Sequence, residues 1–567
     1  MLSWFHHSYE YLPRSHPQAI QFKLLIGSMS AQLQERCLFF ERTKIVEVLA
    51  KRLEAFQKGY RQNVAVIGNP LSGKTSLLRH FLKTLEGSDL LVFPFSCQES
   101  DSFELFSQRW MTELLLGYHR AFQMALPDHL GPMIQSIKGV IPRTLEKMKT
   151  VKRWMMKRRY DQAFQELIGL TGVLHEECGR KILVVLDDFD RLGELGLHDP
   201  FSDFGKEMMV QKDTMFLIAS SRRNRTLSIV REKLSLLFGN FELIEVGSLD
   251  FDEVDGLMKV YLGESLFSQE EVRFLIRLTD GHIYYLDVLA HEMSRLRDER
   301  RDSGVGLSEV LAKELADPKG HLFQYFRGEL YRMAHGKPWV HYADVLAAIS
   351  VGHQKLTPVS RFLKQKGSDI SKRLERLFAS EFIQKHGSLL QVRDPLFRFW
   401  LAKVYYRERF LGRWGEGVAE AVFLDVLKAL EESAFADKRE LPNRIEELFL
   451  QFGNDVIQMN ERNFKCPHFT EVYSRPNNGR VFPVFARNAH TRWLCQVLSD
   501  RVTEEDVHTF RKDLKKLRGS IHKRLIIGLK GIDLNAKLLA QEAKIQYLDL
   551  RHFNFLLDLY NKPKFVC

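Results

Sequence analysis

Cysteine is scarce: Cys37, Cys97, Cys178, Cys466, Cys495 and Cys567 are spread over 567 positions without a C-x-x-C pair or a cysteine–histidine cluster. That excludes a disulfide framework and a zinc finger. No uncharged apolar run approaches the roughly 18 residues of a membrane span, and the opening M-L-S-W-F-H-H-S-Y-E lacks the apolar core of a signal peptide. Internal repeats and low-complexity tracts are missing too. The expectation is a cytoplasmic protein with reduced thiols and no membrane span.

What is present is an ordinary globular composition, 45% apolar and 27% charged, which argues against long disorder. The length implies roughly three or four domains. A net charge of +11 invites a polyanionic partner, and the charge is unevenly spread. From Lys138 to Tyr160, KGVIPRTLEKMKTVKRWMMKRRY holds nine Lys or Arg against the single Glu146. Two readings of this stripe stay open. In one, Lys152, Arg153 and their neighbours neutralise nucleic-acid phosphates, and Trp154, Met155 and Met156 face a partner or lipid. In the other, the stripe is a solvated helix whose Trp and Met pack on the core.

An apolar run ending at Ile67, a turn, and the amphipathic T-S-L-L-R-H-F-L-K-T-L read as strand, loop and helix. LLVFPFSC (90–97), KILVVLDDF (181–189) and DTMFLIASS (213–221) are short apolar runs separated by helical stretches. That is the pattern of buried parallel strands. The fold class expected for 39–248 is therefore α/β with a doubly wound parallel sheet.

The turn at its start fills G-x-x-x-x-G-K-[ST] with Gly68, Asn69, Pro70, Leu71, Ser72, Gly73, Lys74 and Thr75, followed by Ser76. Glycines let successive backbone N–H groups face a phosphate, and the helix amino terminus adds positive potential. In this reading the loop binds ATP, Lys74 reaches the β- and γ-phosphates, and Thr75 ligates Mg²⁺. KILVVLDD then ends a buried strand in two acids, which are costly there without a metal or donor. Asp187 fits the carboxylate that holds Mg²⁺, and Asp188 the base that polarises the attacking water. DTMFLIASSRRN offers a hydroxyl, Ser220 or Ser221, to sense the γ-phosphate. Arg222 or Arg223 is offered to neutralise developing charge; an ordinary solvated basic turn is the alternative.

On these residues the chain resembles the archaeal-type ATPase family, a branch of the P-loop NTPases near the STAND signalling ATPases and related to the origin-recognition initiators. The resemblance spans about 39–410. It is carried by F-F-E-R (39–42), the phosphate loop, LDDFDRL, the S-S-R step, T-D-G-H-I-Y-Y-L (279–286) and D-P-L-F-R-F-W (394–400). Ile283 stands where the family's lid motif has proline. The resemblance implies an ATPase core binding ATP and Mg²⁺, with a lid and winged helix that report nucleotide state. The expected division is an extension at 1–38, the core at 39–248, a helical lid at 249–335, a winged helix at 336–410, a helical connector at 411–464 and an α/β domain at 465–567. The third helix of the winged segment would present Lys372, Arg373 and Arg376 to duplex DNA.

Residues 479–560 resemble a nuclease fold of the PD-(D/E)xK type. Active members need two carboxylates for the metal and a lysine for developing charge. The matching places here read Pro483, Gln496 and Leu498, so nuclease activity is not expected. Two functions stay open: an ATP-controlled switch that engages DNA, and a signalling scaffold whose nucleotide state controls homo-oligomerisation or protein partners.

Overall fold

The computed structural model describes residues 42–98, 101–126, 130–234, 241–263, 267–300, 306–334, 338–459, 462–475, 481–517 and 520–566. The extension at 1–38, most of the F-F-E-R box, Cys37 and Cys567 lie outside the described residues. The chain divides into two compact units between Val246 and Gly247.

The first unit is built on β1 (Asn63–Gly68), β2 (Leu91–Ser96), β3 (Ile182–Asp187), β4 (Thr214–Ser220) and β5 (Phe241–Val246). Their order is β2-β3-β4-β1-β5 and every pairing is parallel. All of β1 and β4, and β3 up to Leu186, are buried, as expected where helices cover both faces. One face packs Phe93, Trp110, Phe164 and Phe204 with helices Phe103–Ala121, Tyr160–Ile168 and Pro200–Val210. The other packs Leu53, Phe56, Leu77 and Phe81 from helices Thr43–Gln57 and Lys74–Lys83. The apolar-run reading missed β5. This edge strand, F-E-L-I-E-V, leaves Leu243 and Glu245 exposed and so never forms an apolar run.

The second unit opens with helices Phe251–Leu262, Gln269–Thr279, Ile283–Arg300, Leu307–Ala316 and His321–Ala334. Capping boxes at Asp250 and Ser268 start the first two. Helices Val340–Ser350, Leu356–Leu363 and Gly367–Ala379 follow, then the antiparallel hairpin β6 (Ile383–His386) and β7 (Leu389–Val392). The stretch expected as a helical connector is helical only through Glu416–Lys438 and Leu441–Leu450. Beyond it, β8 (Asp455–Met459) and β9 (Arg462–Cys466) pair antiparallel, because Ile457, Met459, Phe464 and Cys466 alternate into one core.

The last sheet runs β10 (Glu471–Ser474), β11 (Val481–Arg487), β12 (Arg492–Leu498), β13 (Lys523–Gly528) and β14 (Gln546–Asp549) in that order. The first three are antiparallel and the last three parallel. Helices Glu504–Lys516 and Leu534–Glu542 lie in the two parallel connections. Pro483 pairs with Gln496 across β11 and β12, and Val481 with Leu498. The strand period puts Pro483, Gln496 and Leu498 on one face, with no carboxylate or lysine among them.

Candidate nucleotide site

Strand β1 delivers the chain into the phosphate loop, and Lys74 starts the following helix with Gly73 as its N-cap. Gly73 has φ 86° and Leu71 φ 56°, so the loop turns twice through the left-handed region that glycine tolerates best. Gly68 is needed for space: a Cβ there would sit 2.6 Å from the Val246 carbonyl and 2.8 Å from Ser72 Oγ. Asn69, Pro70 and Leu71 are exposed at the rim, as are Thr75 and Ser76. The first N–H groups of the helix have no intrahelical acceptor and form the anion-facing end of the cradle.

Lys74 is buried, and its Nζ folds back to the carbonyls of Asn69 (2.7 Å) and Gly68 (3.1 Å) and to Ser72 Oγ (3.4 Å). Burial lowers its pKa to about 8; the nearby carboxylates of Asp187, Asp188 and Asp190 pull it upward. An ammonium held by weak carbonyl partners gains most from a phosphate. Thr75 Oγ1 donates to Asp187 Oδ2 at 2.6 Å. These are two hard oxygen ligands of the kind Mg²⁺ takes, leaving its other positions to water and phosphate. The residues present therefore fit both ATP and its metal.

Asp188 sits just past β3 with φ 52°, a strained conformation for a non-glycine residue and one that clusters at functional sites. Burial, then the neighbouring Asp187 charge, raises its pKa to about 6. Arg191 lies 3.6 Å away. A carboxylate poised in this range suits a general base.

The sequence reading missed Asp190. It is buried in the 3-10 helix Phe189–Glu194. Its Oδ1 accepts the Ser220 hydroxyl at 2.6 Å, and Ser220 Oγ in turn accepts the Arg222 N–H at 3.1 Å. Arg222 Nη1 lies 3.4 Å from Asp190 and 2.7 Å from Glu194. The carboxylate thus clamps the end of β4 to the segment carrying Asp188. The third acid of D-D-F-D was its only sequence signal. Of the two hydroxyls, Ser220 is the buried one in this network and Ser221 is half-buried beyond the strand. Arg223 pairs with Glu245 at 3.1 Å.

Of the other sequence-named residues, Lys152 and Arg153 are exposed on helix Pro142–Met156, while Trp154 and Met155 pack against the core. Lys372 is exposed; Arg373 donates to Gln365 and Arg376 lies 5.8 Å over the Tyr342 ring. Among the described residues no helix is long and apolar enough to cross a membrane.

Strand order, phosphate loop and acid-tipped β3 together are those of the P-loop NTPase fold. The AAA ATPase domain family matches residues 38–207. No curated protein matches the chain. Among solved structures, it is similar to a Walker-type ATPase of Pyrococcus abyssi, at 17% identity and TM-score 0.44, covering 64% of this chain and 96% of that one. It is also similar to the ORC2 protein of Aeropyrum pernix in ADPNP–ADP complexes, at 11% identity and TM-score 0.40, covering 69% and 98%. The ORC1 protein of Aeropyrum pernix, in complex with DNA, is similar at 12% identity and TM-score 0.38, covering 66% and 94%.

Proposed function

We propose that this chain is an ATP- and Mg²⁺-binding P-loop ATPase that works as a nucleotide-controlled switch and engages duplex DNA. The observation that carries the first half is the Thr75–Asp187 contact of 2.6 Å beside the buried amine of Lys74. Lys74 takes the β- and γ-phosphates, Thr75 and Asp187 hold the metal, Asp188 orients and deprotonates the attacking water, Ser220 or Ser221 senses the γ-phosphate, and Arg222 neutralises the charge that develops in transfer. Bound Mg²⁺ would supply charge neutralisation on the phosphates.

The helices from Phe251 to Ala334 are read as the lid, and residues 338–410 as a winged helix. The final sheet is read as a nuclease-like domain that lacks its metal-binding acids and serves binding or assembly. DNA engagement is supported by the excess of positive charge in the 138–160 stripe. The place of action is the cytoplasm.

The test is Mg²⁺-dependent ATP turnover with and without duplex DNA, with Lys74→Ala as control. Turnover that rises with DNA and vanishes in the variant supports the whole reading. Lys74-dependent turnover indifferent to DNA leaves a switch that controls self-association or protein partners. No turnover and no ATP binding sinks the proposal.

A further inference from the structure

We propose that duplex DNA is held by its phosphates on the outward face of helix Pro142–Met156 and the turn at 157–159, without base reading; this rests on the DNA-engaging reading above. The helix divides its residues cleanly. Thr144, Leu145, Met148 and Val151 are buried, and Trp154 and Met155 pack on the same core. Its apolar side is therefore spent inside the protein. What faces outward is cationic, and only part of it is neutralised. Glu146 takes Lys149 and Arg153, Glu176 takes Arg143, and Glu166 takes Lys147.

Lys138, Lys152, Lys157, Arg158 and Arg159 are exposed, and none has an acidic ion-pair partner among the described residues. Lys157 Nζ lies 5.5 Å over the Trp154 ring, which steadies the chain where the helix ends. Arg158 also lies in the field of Glu104, but a run of like charges this far in excess of its counter-charges is unfavourable in itself, and a polyanion with one charge per about 1.7 Å of axis removes the repulsion.

An acidic membrane fits less well. An interfacial helix needs a free apolar face to bury, and here the outward apolar side chains are Met156, 85% exposed, at one end of the helix and Val140, 57% exposed, in the turn before the other, too far apart to form one face. The hairpin module is the rival DNA site, with exposed Arg361, Lys364, Lys366 and Lys372. There Asp369 and Glu375 lie on the same surface, and Arg373 and Arg376 are engaged internally. The turn of its hairpin is also unavailable: Ser388 N donates to Val456 O at 2.8 Å, and a Cβ on Gly387 would come within 2.0 Å of that carbonyl.

The experiment measures binding of the full chain to fluorescent duplexes of two unrelated sequences across a salt series, with anionic phospholipid vesicles as a parallel probe. Three proteins are compared: unaltered, Lys152→Ala/Lys157→Ala/Arg158→Ala/Arg159→Ala, and Lys364→Ala/Lys366→Ala/Lys372→Ala. All substituted side chains are exposed, and thermal melts check the fold. Equal affinity for both sequences is expected. The first variant should flatten the slope of log K against log salt by about 3–4 and weaken binding on the order of 10²- to 10³-fold near 0.15 M salt. The second should change little. Loss in the second variant alone overturns this assignment while leaving DNA engagement standing, and a strong sequence preference overturns the phosphate-only claim. Binding of anionic vesicles but not duplex, or no duplex binding by the unaltered chain, overturns the assignment together with the DNA reading.

Discussion

Tyr285 donates its phenolic hydrogen to Asp394, joining two sequence motifs separated by more than a hundred residues. The ring is fully buried, and burial with the adjacent carboxylate drives its pKa well up, so it remains a neutral donor. Asp394 uses its other oxygen to cap helix Pro395–Trp400, accepting Phe397 N–H at 2.9 Å. Helix Ile283–Arg300 and the segment after the hairpin are thereby fixed to each other. Tyr285→Phe should cost about 1–2 kcal/mol by stranding one acceptor. Asp394→Ala, which also strips the cap, should cost about 1 kcal/mol more. Urea unfolding of the two variants measures both.

The Asp190 clamp separates positioning from chemistry. Asp190→Ala leaves the Ser220 hydroxyl and Arg222 without a buried acceptor and should lose about 2–4 kcal/mol, while Asp190→Asn keeps an acceptor and loses less. Asp188→Asn should retain ATP affinity but reduce turnover on the order of 10²-fold or more, the scale of a lost general base. Denaturant melts, nucleotide titration and steady-state turnover give the three readings; an Asp188→Asn enzyme with full turnover would remove that residue from the base role.

Acid should weaken the second unit through Asp455. Burial by itself would raise this carboxyl, but Lys355 at 2.6 Å, Tyr560 at 2.8 Å and Gly453 N–H at 3.0 Å outweigh it and hold the pKa below its usual value. A depressed folded pKa means the stabilisation is complete above the unfolded value of about 4 and is lost as pH falls through the folded one. Asp455→Asn should flatten the acid limb of stability against pH and leave the neutral-pH protein weaker by about 2–4 kcal/mol. An unchanged acid limb in the variant would show that other carboxylates set it.

The sequence made the nucleotide site legible because its chemistry is local: Gly68 to Thr75 are contiguous, and Asp187 and Asp188 end a continuous apolar run. β1, β3 and β4 were readable because they are buried almost throughout, and the edge strand β2 because L-V-F-P-F stays apolar even at its half-buried positions. β5, the other edge, was not, because Glu242 and Glu245 interrupt its apolar residues. Asp190 was hidden because D-D-F-D reads equally well as a solvated acidic turn; only the arrival of Ser220 from β4 gives its third acid a partner. β8 and the start of β9 lay in a stretch read as helical, since five-residue alternations are too short to stand out. The fate of Arg373 and Arg376 depended on Gln365 and Tyr342, which no helical periodicity relates to them.

Arg277 carries the last prediction, because one buried guanidinium gathers three separate segments. From helix Gln269–Thr279 its Nε donates to Lys564 O at 2.7 Å, and Nη1 donates to Ser433 Oγ at 2.6 Å and to Asp437 at 3.0 Å. Lys564 returns the contact by pairing its Nζ with Asp280, the next residue after that helix, at 2.5 Å. Arg444 also stacks on Phe565, 3.4 Å from the ring centroid. Residues 563–565 therefore strap the helix to the core under the last sheet. Arg277→Ala should cost about 3–5 kcal/mol, as expected for opening a buried ion pair, whereas Lys564→Ala, losing an exposed pair but keeping the backbone carbonyl, should cost less than about 1 kcal/mol. In hydrogen exchange, Arg277→Ala should deprotect both 269–279 and 550–566 together; deprotection confined to either segment would mean the strap does not couple them.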